Sequence, residues 1–143
     1  MVLEKINQRI DCPDAAKLLL RLTLGCLLLF HGVHKASPGG DLHFIQSLLI
    51  QHGVSPFISY GIFITEILCP ILIILGVLTR WCGISVAITM VIAVALVNGS
   101  NIFSLAPTGA WIIESAAFYF LLGIILFLQG GGRYCLAQST GWQ

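Results

Sequence analysis

Four stretches of this chain are apolar over a length that a bilayer would notice: about Ala15 to Val33, Phe57 to Leu78, Trp81 to Val97 and Ala110 to Leu128. At ~1.5 Å per residue, about 20 residues of helix cross a hydrocarbon core, and each stretch comes close to that. Lipid offers no hydrogen bonds, so each segment must satisfy its own backbone, and four spanning helices follow. Between the first two, Ser37-Pro38-Gly39-Gly40 breaks the pattern. Asp41 to His52 then carries Leu42, Ile45, Leu48 and Leu49 at helical spacing and stops at Gly53, predicting a short interfacial amphipathic helix. Leu78-Thr79-Arg80-Trp81 leaves almost no room for a loop, so the second and third helices form a tight antiparallel hairpin with Thr79 and Arg80 at its tip. Asn98 to Gly109, with its asparagines, glycines and Pro107, reads as an irregular connection. Asp14 is the expected N-cap of the first helix. The predicted fold class is all-α: one integral membrane domain over residues 1–143, a four-helix bundle with an interfacial helix between helices 1 and 2.

Composition agrees. Hydrophobic residues make up 57% of the 143 positions, charged residues 9%, and the mean hydropathy is +0.97. Soluble domains carry roughly a quarter charged residues. A net charge of +1 excludes a basic nucleic-acid surface. The first apolar run carries Arg21 and ends in His31 and Lys35, not in a small-residue cleavage site, so it reads as retained. Five cysteines (Cys12, Cys26, Cys69, Cys82, Cys135) form no CxxC or Cys/His zinc spacing, and an odd count argues for packing thiols.

Charge placement orients the bundle. Lys5, Arg9, Lys17, Arg80 and Arg133 lie at the end that holds both termini, and Lys35 alone at the other. By the positive-inside rule the N- and C-termini are cytoplasmic, with His31, His34, His43 and His52 toward the outer face.

Three charged residues fall within apolar segments: Arg21, Glu66 and Glu114. Glu66 is near the middle of its span, where a charge costs about 2.5 kcal/mol or more, and is therefore a site candidate. Lys17, Arg21, Gly25, Gly32 and Lys35 share one face of helix 1, and Ser59, Glu66, Cys69, Pro70, Gly76 and Arg80 form a stripe on helix 2. Arg21 enters from the cytoplasm and can snorkel toward Glu66, so an Arg21–Glu66 pair is expected. One reading has the pair only pin two helices; the other has it line a cavity that binds a head group or exchanges protons. Glu114 is either an interfacial anchor beside Trp111 or an inward-facing member of the site with His31. Arg80 completes the candidate ligand-binding set. His31 and His34 have i, i+3 spacing, but such pairs near a surface are more often solvated, and no metal is expected.

The chain resembles the DoxX family of small four-helix membrane proteins. The resemblance rests on Leu20-Arg21-Leu22, Phe30-His31-Gly32-Val33-His34-Lys35, Gly53, Glu66 with Pro70, Leu75-Gly76-Val77-Leu78-Thr79-Arg80, Gly109 with Trp111 and Glu114, and Gly130-Gly131-Gly132-Arg133-Tyr134. Family members often place an acidic residue just after the Gly-x-Tyr turn; Cys135-Leu136-Ala137 has none. The resemblance implies a prokaryotic cytoplasmic-membrane protein tied to redox or sulfur metabolism, acting with an oxidoreductase partner. The leading expectation is that Arg21 and Glu66 form a polar pocket for a quinone-like head group or for proton relay; the chain carries no flavin, haem or iron–sulfur fingerprint, so an enzymatic role needs a partner or an exchanging quinone. The competing readings are a small-solute or proton transporter built from a homo-oligomer, and a scaffold that docks a partner through residues 41–52.

Overall fold

The computed structural model describes residues 11–137, and these fold into five helices with no sheet. Helix α1 spans Pro13–Ala36, α2 Leu42–Gln51, α3 Pro56–Leu75, α4 Thr79–Val97 and α5 Glu114–Gln129. Helices α1, α3 and α4 are long and apolar enough to cross a membrane. Helix α5 is apolar but has 16 residues, ~24 Å of rise. Lys5 and Arg9, used to orient the chain, lie outside the described residues.

Burial is inverted relative to a water-soluble protein. Leu19, Phe30, Phe57, Ile64, Ile88, Val91, Phe118 and Leu128 are exposed, whereas Arg21, Ser59, Glu66 and Thr79 are buried. Apolar side chains turned outward and polar ones turned inward suit a lipid surround. Within, Leu24, Leu28, Ile73, Val86, Met90 and Leu126 join α1, α3, α4 and α5 in one core.

Close backbone contact sets the helix register. A Cβ on Gly25 would strike Ile74 and the Pro70 carbonyl, and one on Gly32 would strike the Glu66 carbonyl, so α1 and α3 run antiparallel in near backbone contact. Gly83 and Gly123 play the same part between α4 and α5, each lying against the other's carbonyl oxygen. Small residues at such crossings let lipid-embedded helices gain dispersion contact where no hydrophobic effect drives association.

Several boundaries differ from expectation. Helix α1 starts with Cys12 at the cap and Pro13 in its first turn, not at Asp14, whose Oδ1 instead accepts from the Arg133 backbone N–H at 3.3 Å. Helix α3 stops at Leu75, not Leu78. Gly76 adopts φ 78°, its N–H donates to Ile73 and the Val77 N–H donates to Leu72, which closes the helix with paired capping bonds. Helix α5 starts at Glu114, not Ala110, because Gly109 at φ 85° and a bridge between Leu105 and Trp111 fold that stretch into a loop.

Candidate functional site

Glu66 lies where α3 is least regular. The helix widens to a π turn over Ile64–Leu68 and returns to α at Cys69–Leu75. Pro70 supplies the physical reason. In a regular α-helix its ring would press on the carbonyl four residues back, that of Glu66, and it has no N–H to donate there. Widening the turn relieves the clash, and Gly32 of α1 lies against the same carbonyl. Single π turns of this kind recur at functional sites.

Glu66 is 3% exposed. Its Oε1 accepts from the Lys35 ammonium at 2.6 Å. Lys35 stands in the last turn of α1, three residues beyond Gly32, so the glycine that brings the helices together also delivers the lysine. Glu66 Oε2 is buried and has no hydrogen-bond partner among the described residues. Both residues line a cavity of about 320 Å³ between α2, α3 and α4. Its wall is largely apolar, with Ile45, Leu48, Ile62, Ala93 and Leu96 among the lining residues, and Ser59, Thr89 and Asp41 also border it. Volumes of ~300 Å³ and above with few polar groups are typical of small-molecule sites.

Arg21 is elsewhere, and the expected Arg21–Glu66 pair is not formed. With Gly32 level with Glu66, Arg21 lies eleven residues back along α1, ~16 Å toward the opposite end. Arg21 is 1% exposed and donates from Nε to the Ile73 carbonyl at 2.8 Å and from Nη2 to the Ile74 carbonyl at 2.7 Å. Its Nη1 faces the Gly131 and Tyr134 carbonyls at 3.1 and 2.6 Å and Cys135 Sγ at 3.2 Å. These are last-turn carbonyls of α3 and backbone of the closing segment. Arg21 therefore caps a helix C-terminus, where cations are favoured, and ties the chain's final turn to it.

Arg80 does for α5 what Arg21 does for α3. Its Nη1 donates to the Phe127 and Leu128 carbonyls at 2.7 and 2.9 Å, from an exposed position beside Gly130. Glu114 is exposed at the first residue of α5, where a carboxylate complements the helix dipole, and is not among the cavity residues. His31 has Nδ1 3.0 Å from the Leu27 carbonyl and its ring edge-on to Tyr119, with centroids 5.5 Å apart. Of the five sequence-derived candidates, the cavity takes in Glu66 alone. Among the described residues no three His, Cys, Asp or Glu side chains converge on a metal-binding geometry.

A family model described as DoxX matches residues 16–99. The chain belongs to the DoxX family. In this DoxX protein the matched portion runs from α1 through α4, so it holds the Lys35–Glu66 pair and every cavity residue. Helix α5 and the turn that closes over Arg21 follow it. Neither the curated proteins nor the solved structures yielded a match.

The cavity residue that sequence reasoning missed as a partner of Glu66 is Lys35. It is visible in the stripe with Arg21, Gly25 and Gly32, but by sequence it counts only as the lone basic residue at its end of the bundle. The antiparallel register fixed by Gly32 would have placed it one turn from Glu66.

Proposed function

We propose that this DoxX-family protein is a multi-pass component of a redox-linked system in the prokaryotic cytoplasmic membrane, and that its Glu66–Lys35 cavity holds the polar head of a quinone-like lipid-soluble ligand. Helix α5 acts as the fourth span, and both termini face the cytoplasm. Lys17, Arg80 and Arg133 at one end against Lys35 at the other favour that orientation. The observation that carries the binding role is the cavity itself: a largely apolar space of about 320 Å³ bordered by the ion-paired Lys35 and Glu66. An ion pair this deep in an apolar span is costly, and its place beside a cavity favours a binding role over a purely structural one. Arg21 serves the site at a distance, by fixing the end of α3. Electrons enter and leave through a partner oxidoreductase, with the ligand as the mobile carrier.

The test is direct. Protein extracted with native lipid should carry quinone close to one per chain, and Ala93→Phe, which fills the cavity from α4, should lose it. Quinone no more abundant than in protein-free lipid particles, together with unchanged quinone reduction in Glu66→Gln membranes, removes the proposal.

A further inference from the structure

The polar groups that line the cavity differ in what they can still offer a ligand. Glu66 is closed to one: Oε1 accepts from Lys35, and Oε2 is buried. Ser59 Oγ donates its proton to the Pro56 carbonyl at 2.7 Å, and Thr89 Oγ1 donates to the Ser85 carbonyl at 2.9 Å. Lys35 is the exception. An ammonium carries three protons, and the described residues engage one of them, on Glu66 Oε1 at 2.6 Å. The lysine side chain is 21% exposed against 4% for the glutamate, so it is the member of the pair that a ligand can reach. Among the described side chains that border the cavity, Lys35 holds the protons left to give. The formal charges around it are one ammonium and two carboxylates, Glu66 and Asp41.

We infer that Lys35 is the specificity-determining residue of the cavity: it donates an ammonium proton to a carbonyl-type oxygen on an uncharged, lipid-soluble molecule, and Glu66 is a positioning residue that holds the lysine in place. This rests on the proposed ligand site and assigns its chemical selectivity. An ammonium against apolar walls needs a counter-charge, and Glu66 supplies it through one oxygen while two protons stay free. A carbonyl takes up one of those protons in a charge-assisted bond and brings no new charge with it. An anion would add a third negative charge beside Glu66 and Asp41, where apolar surroundings screen it poorly, and a cation would meet the ammonium itself. A molecule with no acceptor gains only the apolar contact with Ile45, Leu48 and Ile62. A hydrogen bond to a charged group is worth about tenfold or more in affinity, and that is the margin the carbonyl should hold over plain hydrocarbon.

The experiment measures equilibrium binding of three probes with the same alkyl tail to the purified full-length protein: a fully ring-substituted benzoquinone, the alkylbenzene of the same substitution, and the alkylbenzoate anion. The quinone should bind about tenfold or more tightly than either of the others. In Lys35→Met its advantage over the alkylbenzene should disappear, while the alkylbenzene still binds, because the apolar wall is untouched. Lys35→Met combined with Glu66→Leu should lose the same advantage, and it leaves no carboxylate unpaired, so the test stands if the single variant fails to fold. Equal affinity for quinone and alkylbenzene in the parent, both lost in Ala93→Phe, overturns the role of Lys35 and leaves the ligand site standing. A quinone advantage that survives without Lys35 does the same. Tightest binding by the benzoate overturns the uncharged ligand class. No binding of any probe, or binding indifferent to Ala93→Phe, removes the ligand site and this inference together.

Discussion

Arg21→Ala separates a helix-capping arginine from a catalytic one. Arg21 reaches the closing turn through two carbonyls, Gly131 and Tyr134, and through Cys135 Sγ. A bond from a charged donor contributes about 1.5 kcal/mol at the low end of its range, so the two carbonyls account for about 3 kcal/mol and the thiol adds little. The turn is also held by the Leu136 N–H on the Leu75 carbonyl at 3.1 Å and the Arg133 N–H on Asp14. Cys135 reports on this directly, because it is only 7% exposed while the turn is docked. Where opening is fast relative to reaction, alkylation follows the open population, and about 3 kcal/mol corresponds to a rise of about 150-fold. The assay is native-state alkylation of Cys135 followed by peptide mass spectrometry. Glu66→Gln is the matched comparison: it lies about 16 Å along the bundle and should leave the Cys135 rate within about twofold of the parent. If Arg21→Ala labels no faster than the parent, the arginine does not hold the turn. If Glu66→Gln labels as fast as Arg21→Ala, the two residues belong to one network after all.

Lys35→Met strips the counter-charge from a carboxylate that is 3% exposed and should cost about 3–5 kcal/mol in detergent unfolding followed by tryptophan fluorescence. Lys35→Met combined with Glu66→Leu should recover most of that loss, and additive single-mutant costs would contradict a coupled pair. Gly32→Val places methyl groups on the Glu66 carbonyl and Ile67, forcing α1 away from α3 at a cost of about 1–3 kcal/mol. Gly61→Ala, in a helical position with no atom within 4 Å of the added Cβ, should be neutral or stabilise by up to about 1 kcal/mol in the same assay.

The apolar runs announced the membrane character, and the isolated Glu66 stood out as the buried charge that now borders the cavity, because both follow from transfer costs that depend on residue type alone. The partners were harder to read. Sequence reasoning sought a side chain of opposite sign for Arg21 and took Glu66, the nearest such residue in depth. Arg21 is instead satisfied by backbone carbonyls, which every sequence contains and no residue letter reveals. They become available only where a helix ends, and the glycine at φ 78° that ends α3 was read as part of its span. For Glu66 the deciding quantity was the axial register of α1 against α3, set by Gly25 and Gly32. Both glycines were recognised as contact residues, but contact alone does not state which level of one helix meets which level of the other. The enclosing wall from α2 depends on how the Ser37–Gly40 turn folds that helix back, a long-range outcome that periodicity cannot supply.

The π turn at Ile64–Leu68 has a consequence for how α3 tolerates change. A widened turn holds one residue more than a regular helix would, and one residue of α-helix is worth ~100° of rotation. The two halves of α3 are thus out of phase: Ser59 and Ile62 look into the cavity while Pro70 and Ile73 look into α1 and the core. Deleting any single residue between 64 and 68 would restore a straight, better hydrogen-bonded helix and swing the N-terminal half of α3 about a quarter turn, carrying Ser59 and Ile62 out of the cavity wall. Along this stretch the number of residues matters as much as their identity.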